Sequence, residues 1–192
     1  MTGNHNPTSV IPPSAPHRET RKSAAVITVS DSCSTGSRQD LSGPAVVGEL
    51  EANGFSVALR LTVPDEAAAI QDALRQAASS VRLVITTGGT GISARDVTPE
   101  ATRAVCDRLL DGIPELMRAE GRRQTPMAVL SRGLCGTLGS SFILNLPGSP
   151  TGAINSLRAA LPVLPHALDL LAGHTEHAPE TTPAADARLS SR

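Results

Sequence analysis

The sequence predicts an α/β fold, a three-layer α/β/α sandwich around a mostly parallel sheet, and three observations carry that reading. Short apolar runs such as Ala24–Ser30 (AAVITVS), Arg82–Thr87 (RLVITT) and Phe142–Leu146 (FILNL) lack polar alternation, the mark of strands buried on both faces. Between them, apolar residues recur at helical spacing, as in Ala67, Ile70, Ala73, Leu74 and Ala77. Strands alternating with helices build a sheet whose neighbours run parallel and whose two faces are both covered.

Taken in order, Ala24–Ser30 is the first strand and leads into a polar loop, Asp31 to Asp40. Ser42-Gly43-Pro44 opens a helix that runs to about Asn53, and Gly54 ends it in the left-handed conformation a helix stop favours. Ser56–Val63 is the second strand; Pro64-Asp65-Glu66 starts a helix over 66–79. Arg82–Thr87 is the third strand. Thr98 is placed to cap the next helix and Pro99 to occupy its first turn, where a missing N–H costs nothing. That helix is expected over 99–110 and a second over 113–120, with Val105, Leu109, Ile113 and Leu116 as core positions. Met127–Leu130 reads equally as helix or strand, and 131–138 as a turn or hairpin. Phe142–Leu146 is the last strand, ending in Pro147-Gly148-Ser149-Pro150. A long helix over 153–171 then closes the fold, bent or restarted near Pro162 and Pro165.

The 192 residues suffice for one domain with tails. Residues 1–21, with Pro7, Pro12, Pro13 and Pro16 among small polar residues, read as a disordered arm; 22–173 is the domain; 174–192 reads as a disordered tail. A net charge of −1 gives no pull toward nucleic acid or membranes, and two Phe without Trp or Tyr leave no platform for stacked bases. No run approaches the ~20 apolar residues of a membrane span, and the amino end lacks the apolar stretch of a signal peptide. Cys33, Cys106 and Cys135 are isolated and odd in number, which argues against a disulfide framework or a zinc site and for a reducing cytoplasm. His174 and His177 at one helical spacing fall short of the ligand count of a closed metal site.

The chemistry concentrates in loops that follow strands: 31–40, 64–65, 88–96 and 147–150. In open α/β sheets the carboxyl ends of strands carry the ligand. Gly88, Gly89 and Gly91 let main-chain N–H groups approach an anion closely, and Thr87 and Thr90 add hydroxyls. The pattern is neither a P-loop nor GxGxxG. Carboxylates beside a phosphate make sense with Mg²⁺ between them, so the loops read as a nucleotide-plus-phosphate site. Each residue also has a plainer role open to it. Asp65 can cap the following helix. Asp96 can pair with Arg95 or Arg103. Asp31 and Asp40 can be solvated turn residues, and Pro147, Gly148 and Ser149 can serve only their turn.

Gly88-Gly89-Thr90-Gly91 followed by Arg95-Asp96-Val97-Thr98-Pro99-Glu100-Ala101-Thr102 resembles the signature of the MogA/MoaB family of molybdenum cofactor biosynthesis proteins, to which the G domain of gephyrin belongs. Val63-Pro64-Asp65-Glu66, Ser131-Arg132 and Asn145 to Pro150 resemble further segments of that family, so the likeness runs over 24–172. It implies transfer of an adenylyl group from MgATP to the terminal phosphate of molybdopterin, a nucleotidyltransferase activity; the alternative it leaves is a module that binds molybdopterin without transfer. It implies Asp65 and Asp96 as catalytic and Mg²⁺-holding residues. It implies Asp31, Asp40, Thr87, Gly88, Gly89, Thr90, Gly91, Arg95, Glu100, Ser131, Pro147, Gly148 and Ser149 as binding residues. It further implies a homotrimer, or a hexamer as a dimer of trimers, with other molybdenum cofactor biosynthesis proteins as partners. Gly136–Ser141 carries no cation where many members of the family have Arg and Lys, which implies a weaker hold on a polyanion.

Overall fold

Strand β1 (Ser23–Val29) sits inside the sheet because it is apolar on both sides: six of its seven residues are buried. A computed structural model describes residues 22–174, so the expected arm over 1–21 and all of the expected tail beyond His174 lie outside the described residues. β1 pairs in parallel with β2 (Ser56–Val63) on one side and β3 (Leu83–Thr87) on the other. β3 pairs in parallel with β6 (Ser141–Leu146), to which β5 (Cys135–Leu138) is joined antiparallel, followed by the short β4 (Arg108–Leu109). The strand order among the described residues is β2-β1-β3-β6-β5-β4. The sheet is mixed but parallel through its centre, as expected.

Helices cover both faces. Alternate residues of β1, β3 and β6, among them Val26, Ile85 and Leu144, meet Val46, Val47 and Leu50 of α2 (Ser42–Ala52), Leu157 of α6 (Pro150–Ala160) and Leu164 and Leu168 of α7 (Leu164–Leu171). The intervening residues, among them Ile27, Val84 and Ile143, meet Ile70, Ala73, Leu74 and Ala77 of α3 (Ala67–Ala78) and Ala101 and Val105 of α4 (Thr98–Val105). Each fully buried Leu or Ile contributes about 1.5–3 kcal/mol. With only Phe55 and Phe142 as aromatic members, aliphatic packing carries the core.

Several boundaries differ from expectation. The loop over 31–40 begins with one helical turn, α1 (Asp31–Ser34), because the Ser30 hydroxyl accepts from the Cys33 N–H. The helix expected to reach 110 stops at Val105: Asp107 N–H donates to Thr137 O at 2.8 Å and Leu110 N–H to Cys135 O at 2.9 Å, drawing 108–109 into the sheet as β4. Leu109 is therefore only partly buried, and Leu116, on α5 (Gly112–Arg122), is exposed. Pro126–Leu130 forms a 3₁₀ turn whose Met127 N–H donates to the Thr125 hydroxyl. The final helix starts at Pro150 rather than 153 and restarts at Leu164, beside the prolines that foretold a break.

Candidate functional site

Parallel pairing brings the carboxyl ends of β2, β1, β3 and β6 to one edge of the sheet. The β1→β2 connection runs over one face and the β2→β3 connection over the other, so the strand order reverses between β1 and β3, the position where such sheets hold ligands. All four expected loops reach this edge. The uncharged 136–141 stretch does not: the turn into β6 lies at that strand's amino end, on the opposite edge, so the cations missing there are not missing from this site.

The loop after β3 is shaped by close contact on all sides. Gly88 has φ +107° and Gly89 φ +61°, and a Cβ on Gly88 would run into the Val29 carbonyl oxygen. Gly88 N–H donates to Leu146 O at 3.2 Å, and the Thr87 hydroxyl donates to Pro147 O at 2.8 Å, binding this loop to the one after β6. Thr98 does not cap α4: it is the helix's first residue, and its buried hydroxyl donates to Gly88 O at 2.9 Å while its N–H donates to Gly89 O at 3.1 Å. The hydroxyls of Thr87 and Thr98 thus build the loop. The N–H groups of Gly89, Thr90 and Gly91 have no acceptor among the described residues.

Acidic side chains flank these amides. A Cβ on Gly89 would lie 3.1 Å from Oδ1 of Asp65, and one on Gly91 would lie 3.0 Å from Oδ2 of Asp96. Asp65 does not cap α3, whose cap position, Glu66, makes no side-chain bond; instead it accepts from the Asp31 N–H at 2.8 Å. Burial first, and then the charges of Asp31 and Asp96, push the Asp65 carboxyl above its ordinary pKa, against the bond from Asp31 N–H and the charge of Arg95. Asp31 is shifted down, chiefly because Arg95 donates to it from Nη2 at 2.5 Å and Nε at 3.1 Å. Arg95 is thus the partner of Asp31, not of Asp96. Asp96 accepts from Ser93 N–H at 2.8 Å through its carboxylate. Asp40 is engaged with the fold: it accepts from Thr28 Oγ1 at 2.6 Å and from Gly43 N–H at 2.9 Å, fixing the start of α2 to β1.

Arg132 clasps the loop. Its N–H donates to Thr90 O at 2.9 Å, its Nε to Gly91 O at 2.6 Å and one Nη2 hydrogen to Asp96 O at 2.6 Å, while Nη1 pairs with the Glu100 carboxylate. Glu100 is thereby held below its ordinary pKa.

Beside the loop opens a cavity of about 620 Å³. Gly89, Thr90, Gly91 and Asp96 form one wall, Ser131 and Gly133 a second, and Pro147, Gly148 and Ser149 a third. Met117 and Arg118 of α5, Met127 and Leu130 of the 3₁₀ turn, and Gly152 and Asn155 of α6 complete it. Asp31, Asp40, Asp65, Thr87, Gly88, Arg95 and Glu100 do not line it. Of these, Asp31, Asp65 and Arg95 form a charged cluster beside the loop, and Thr87, Gly88 and Glu100 lie behind it as supports. No group of three or more His, Cys, Asp or Glu among the described residues could hold a metal by itself.

Three contributors were not foreseen as individual site residues: Arg132, Thr98 as a loop anchor, and Asn145. Asn145 is fully buried, donates to Thr86 Oγ1 and Thr102 Oγ1 at 2.9 Å each, and accepts from Leu134 N–H at 3.0 Å, locking β3, β6 and α4 together beneath the loop. A polar residue inside FILNL, whose other members are all apolar, was the available signal for Asn145. The likeness of Ser131-Arg132 to a family segment is the only local mark of Arg132 and gives it no role, because its side-chain partners lie 32 to 41 residues away.

Comparison with known proteins agrees with this architecture. The family model described as "Probable molybdopterin binding domain" matches residues 25–166. The chain is 40% identical over 154 residues to a molybdopterin adenylyltransferase of Helicobacter pylori strain J99, covering 78% of this chain and 87% of that one. It is 40% identical over 151 residues to the molybdenum cofactor synthesis protein cinnamon of Drosophila melanogaster, covering 76% of this chain but 25% of that longer protein. Among solved structures, a molybdopterin biosynthesis enzyme MoaB of Thermus thermophilus superposes with a TM-score of 0.75 at 50% identity, covering 79% of this chain and 96% of that one.

Proposed function

The chain belongs to the molybdopterin-binding MogA/MoaB family, and from that premise we propose that it is a molybdopterin adenylyltransferase acting in molybdenum cofactor biosynthesis. The observation that carries the reading is the run of three unbonded amides, Gly89 to Gly91, set between the carboxylates of Asp65 and Asp96, with the amides and Asp96 in one wall of the cavity. Amides so arranged accept a phosphate.

In the reaction, a phosphate oxygen of molybdopterin bonds to the α-phosphorus of ATP, the α–β phosphoanhydride bond breaks, and pyrophosphate leaves with its electron pair. Both reactants are anions, so the chain's work is placement and charge neutralisation. The amides of Gly89 to Gly91 hold one phosphate. Ser149, whose oxygen accepts from Gly152 N–H at 3.3 Å, keeps its hydroxyl hydrogen to donate into the cavity, and Ser131 stands on the neighbouring wall. Thr87, Gly88, Glu100 and Pro147 hold the walls in register. Asp31 and Arg95 set the electrostatics beside Asp65, and Asp40 anchors the loop that carries Asp31.

The donors fit Mg²⁺: two carboxylates on either side of an anion cradle, one of them raised in pKa by burial and then by its acidic neighbours, form a site that a hard divalent cation relieves. Asp65 and Asp96 would hold it, and when bound it supplies neutralisation of phosphate charge. No side-chain nucleophile is required. Cys106 is unsuited to be one, since burial pushes its thiol up to about 11.

The same reading places the protein in the cytoplasm as a homotrimer, or a hexamer built from two trimers. Exposed Leu41, Ile92 and Val129, outside the cavity, supply apolar surface for self-association, which sedimentation would measure. No helix among the described residues is long and apolar enough to cross a membrane.

Incubation of the protein with molybdopterin, MgATP and pyrophosphatase tests the reaction. Adenylylated molybdopterin is the expected product. Tight molybdopterin binding without product would make the chain a binding module instead.

A further inference from the structure

Three arginines among the described residues are half-buried: Arg82, Arg118 and Arg132. Arg82 donates to Ser140 O at 3.0 Å, and Arg132 clasps the loop after β3. Of the three, only the Arg118 side chain has neither a hydrogen bond nor an ion pair among the described residues. A guanidinium carries five N–H donors and remains charged at every working pH, so one at a cavity wall without a protein acceptor is free to take an anion.

Its position says where that anion sits. Pro114, Met117, Arg118 and Gly121 form the face of α5 that lines the cavity, and Arg118 is the exception on an otherwise apolar face. The cavity's other charged lining residue, Asp96, belongs to a different wall, beside the amides of Gly89 to Gly91. The remaining cations near the edge are committed, Arg95 to Asp31 and Arg132 to Glu100.

We propose that Arg118 forms a second anion-binding subsite of the cavity, one that takes a phosphate or comparably charged group from the α5 wall while the amides of Gly89 to Gly91 take the first. The ligand is then a molecule with two separated anionic groups, bridging two walls across an apolar middle made by Met117, Met127 and Leu130. The subsite stands on the geometry alone; only the identity of the ligand rests on the proposed function. In that reading the second group belongs either to the nucleotide or to molybdopterin, and the chemistry Arg118 offers, a charge-assisted fork of N–H donors, suits both.

Calorimetric titration of the wild type, R118Q and R118K with pyrophosphate, AMP and molybdopterin separates these outcomes, with thermal melts to verify that each variant is folded. At least one of the three ligands is expected to bind R118Q tenfold or more weaker than the wild type, with partial recovery in R118K. Loss confined to AMP and pyrophosphate assigns the subsite to the nucleotide; loss confined to molybdopterin assigns it to the pterin substrate. Equal affinities in wild type and R118Q for all three overturn the proposal, as does a wild type that binds none of them. Pyrophosphate binding that depends on Arg118, in a protein that forms no adenylylated product, leaves the subsite standing and overturns only the reaction.

Discussion

Asp31 and Asp65 hold each other reciprocally. The main-chain N–H of Asp31 donates to Oδ2 of Asp65 at 2.8 Å, and the main-chain N–H of Asp65 donates to Oδ1 of Asp31 at 3.0 Å. Two carboxylates from the loops that follow adjacent parallel strands are thus fixed side by side, and Arg95 pairs with only one of them. Asp65 stays in an environment that disfavours its charge, the condition expected of a site awaiting a cation.

Replacing Asp65 therefore separates stability from function. A group with a raised folded pKa contributes stability that is present below its unfolded value, near 3.8, and lost as pH rises through the folded value. Asp65→Asn, neutral at every pH and still able to accept from Asp31 N–H, is expected to melt above the wild type at pH 7, with the gap closing as pH falls toward 3.8. Adenylyl transfer in the same variant should fall by about 100-fold or more. Asp31, with a lowered pKa, works in the opposite sense: its contribution is present above its ordinary value and lost as pH falls through the folded one, so Asp31→Asn should melt below the wild type at pH 7. Thermal melts across pH give both comparisons.

Mg²⁺ provides an independent reading of the same carboxylates. Added MgCl₂ should raise the melting temperature of the wild type and do so less in Asp65→Asn, because a ligand stabilises only the state that binds it. Equal shifts in the two proteins would remove Asp65 from the metal site.

Arg132 reaches two carbonyls and one carboxylate with a single guanidinium. Arg132→Lys keeps the charge near Glu100 but cannot reproduce the fork. Its kcat/KM is expected to drop roughly 10- to 100-fold through misplacement of Gly91 and Asp96, with a small change in melting temperature. Steady-state kinetics beside thermal melts test this. A large loss of stability with unaltered kcat/KM would make the arginine a fold residue alone.

Beneath the loop, Asn145→Ala would leave Leu134 N–H without its acceptor and remove the donor that serves the Thr86 and Thr102 hydroxyls. The expected loss is about 3 kcal/mol in urea unfolding, since each stranded buried polar group costs roughly 1–3 kcal/mol. Gly88→Ala, forced against the Val29 carbonyl at positive φ, should cost at least ~2 kcal/mol and abolish transfer.

The parts of the molecule that were legible in the sequence are those set by local pattern. Buried strands read as apolar runs, Pro162 and Pro165 marked the break before α7, and three glycines within Gly88–Gly91 marked a backbone cradle. The parts that were not legible are pairings between distant segments. Arg108–Leu109 becomes a strand only because Thr137 and Cys135 of the neighbouring β5, distant in sequence, offer carbonyls. Thr98 has the sequence position of a helix cap, yet the open carbonyl of Gly88 claims its hydroxyl. Asp65 likewise has the position of a cap, and Asp31 claims it instead.

The central claim is that transfer takes place where the amides of Gly89 to Gly91 lie between Asp65 and Asp96. Asp96→Asn tests it most directly, because the carboxamide oxygen can still accept from Ser93 N–H and leave the loop intact. Mass spectrometry of molybdopterin incubated with MgATP and this variant should find the pterin bound and not adenylylated, while the wild type converts it. Adenylylation by Asp96→Asn at the wild-type rate would contradict the account.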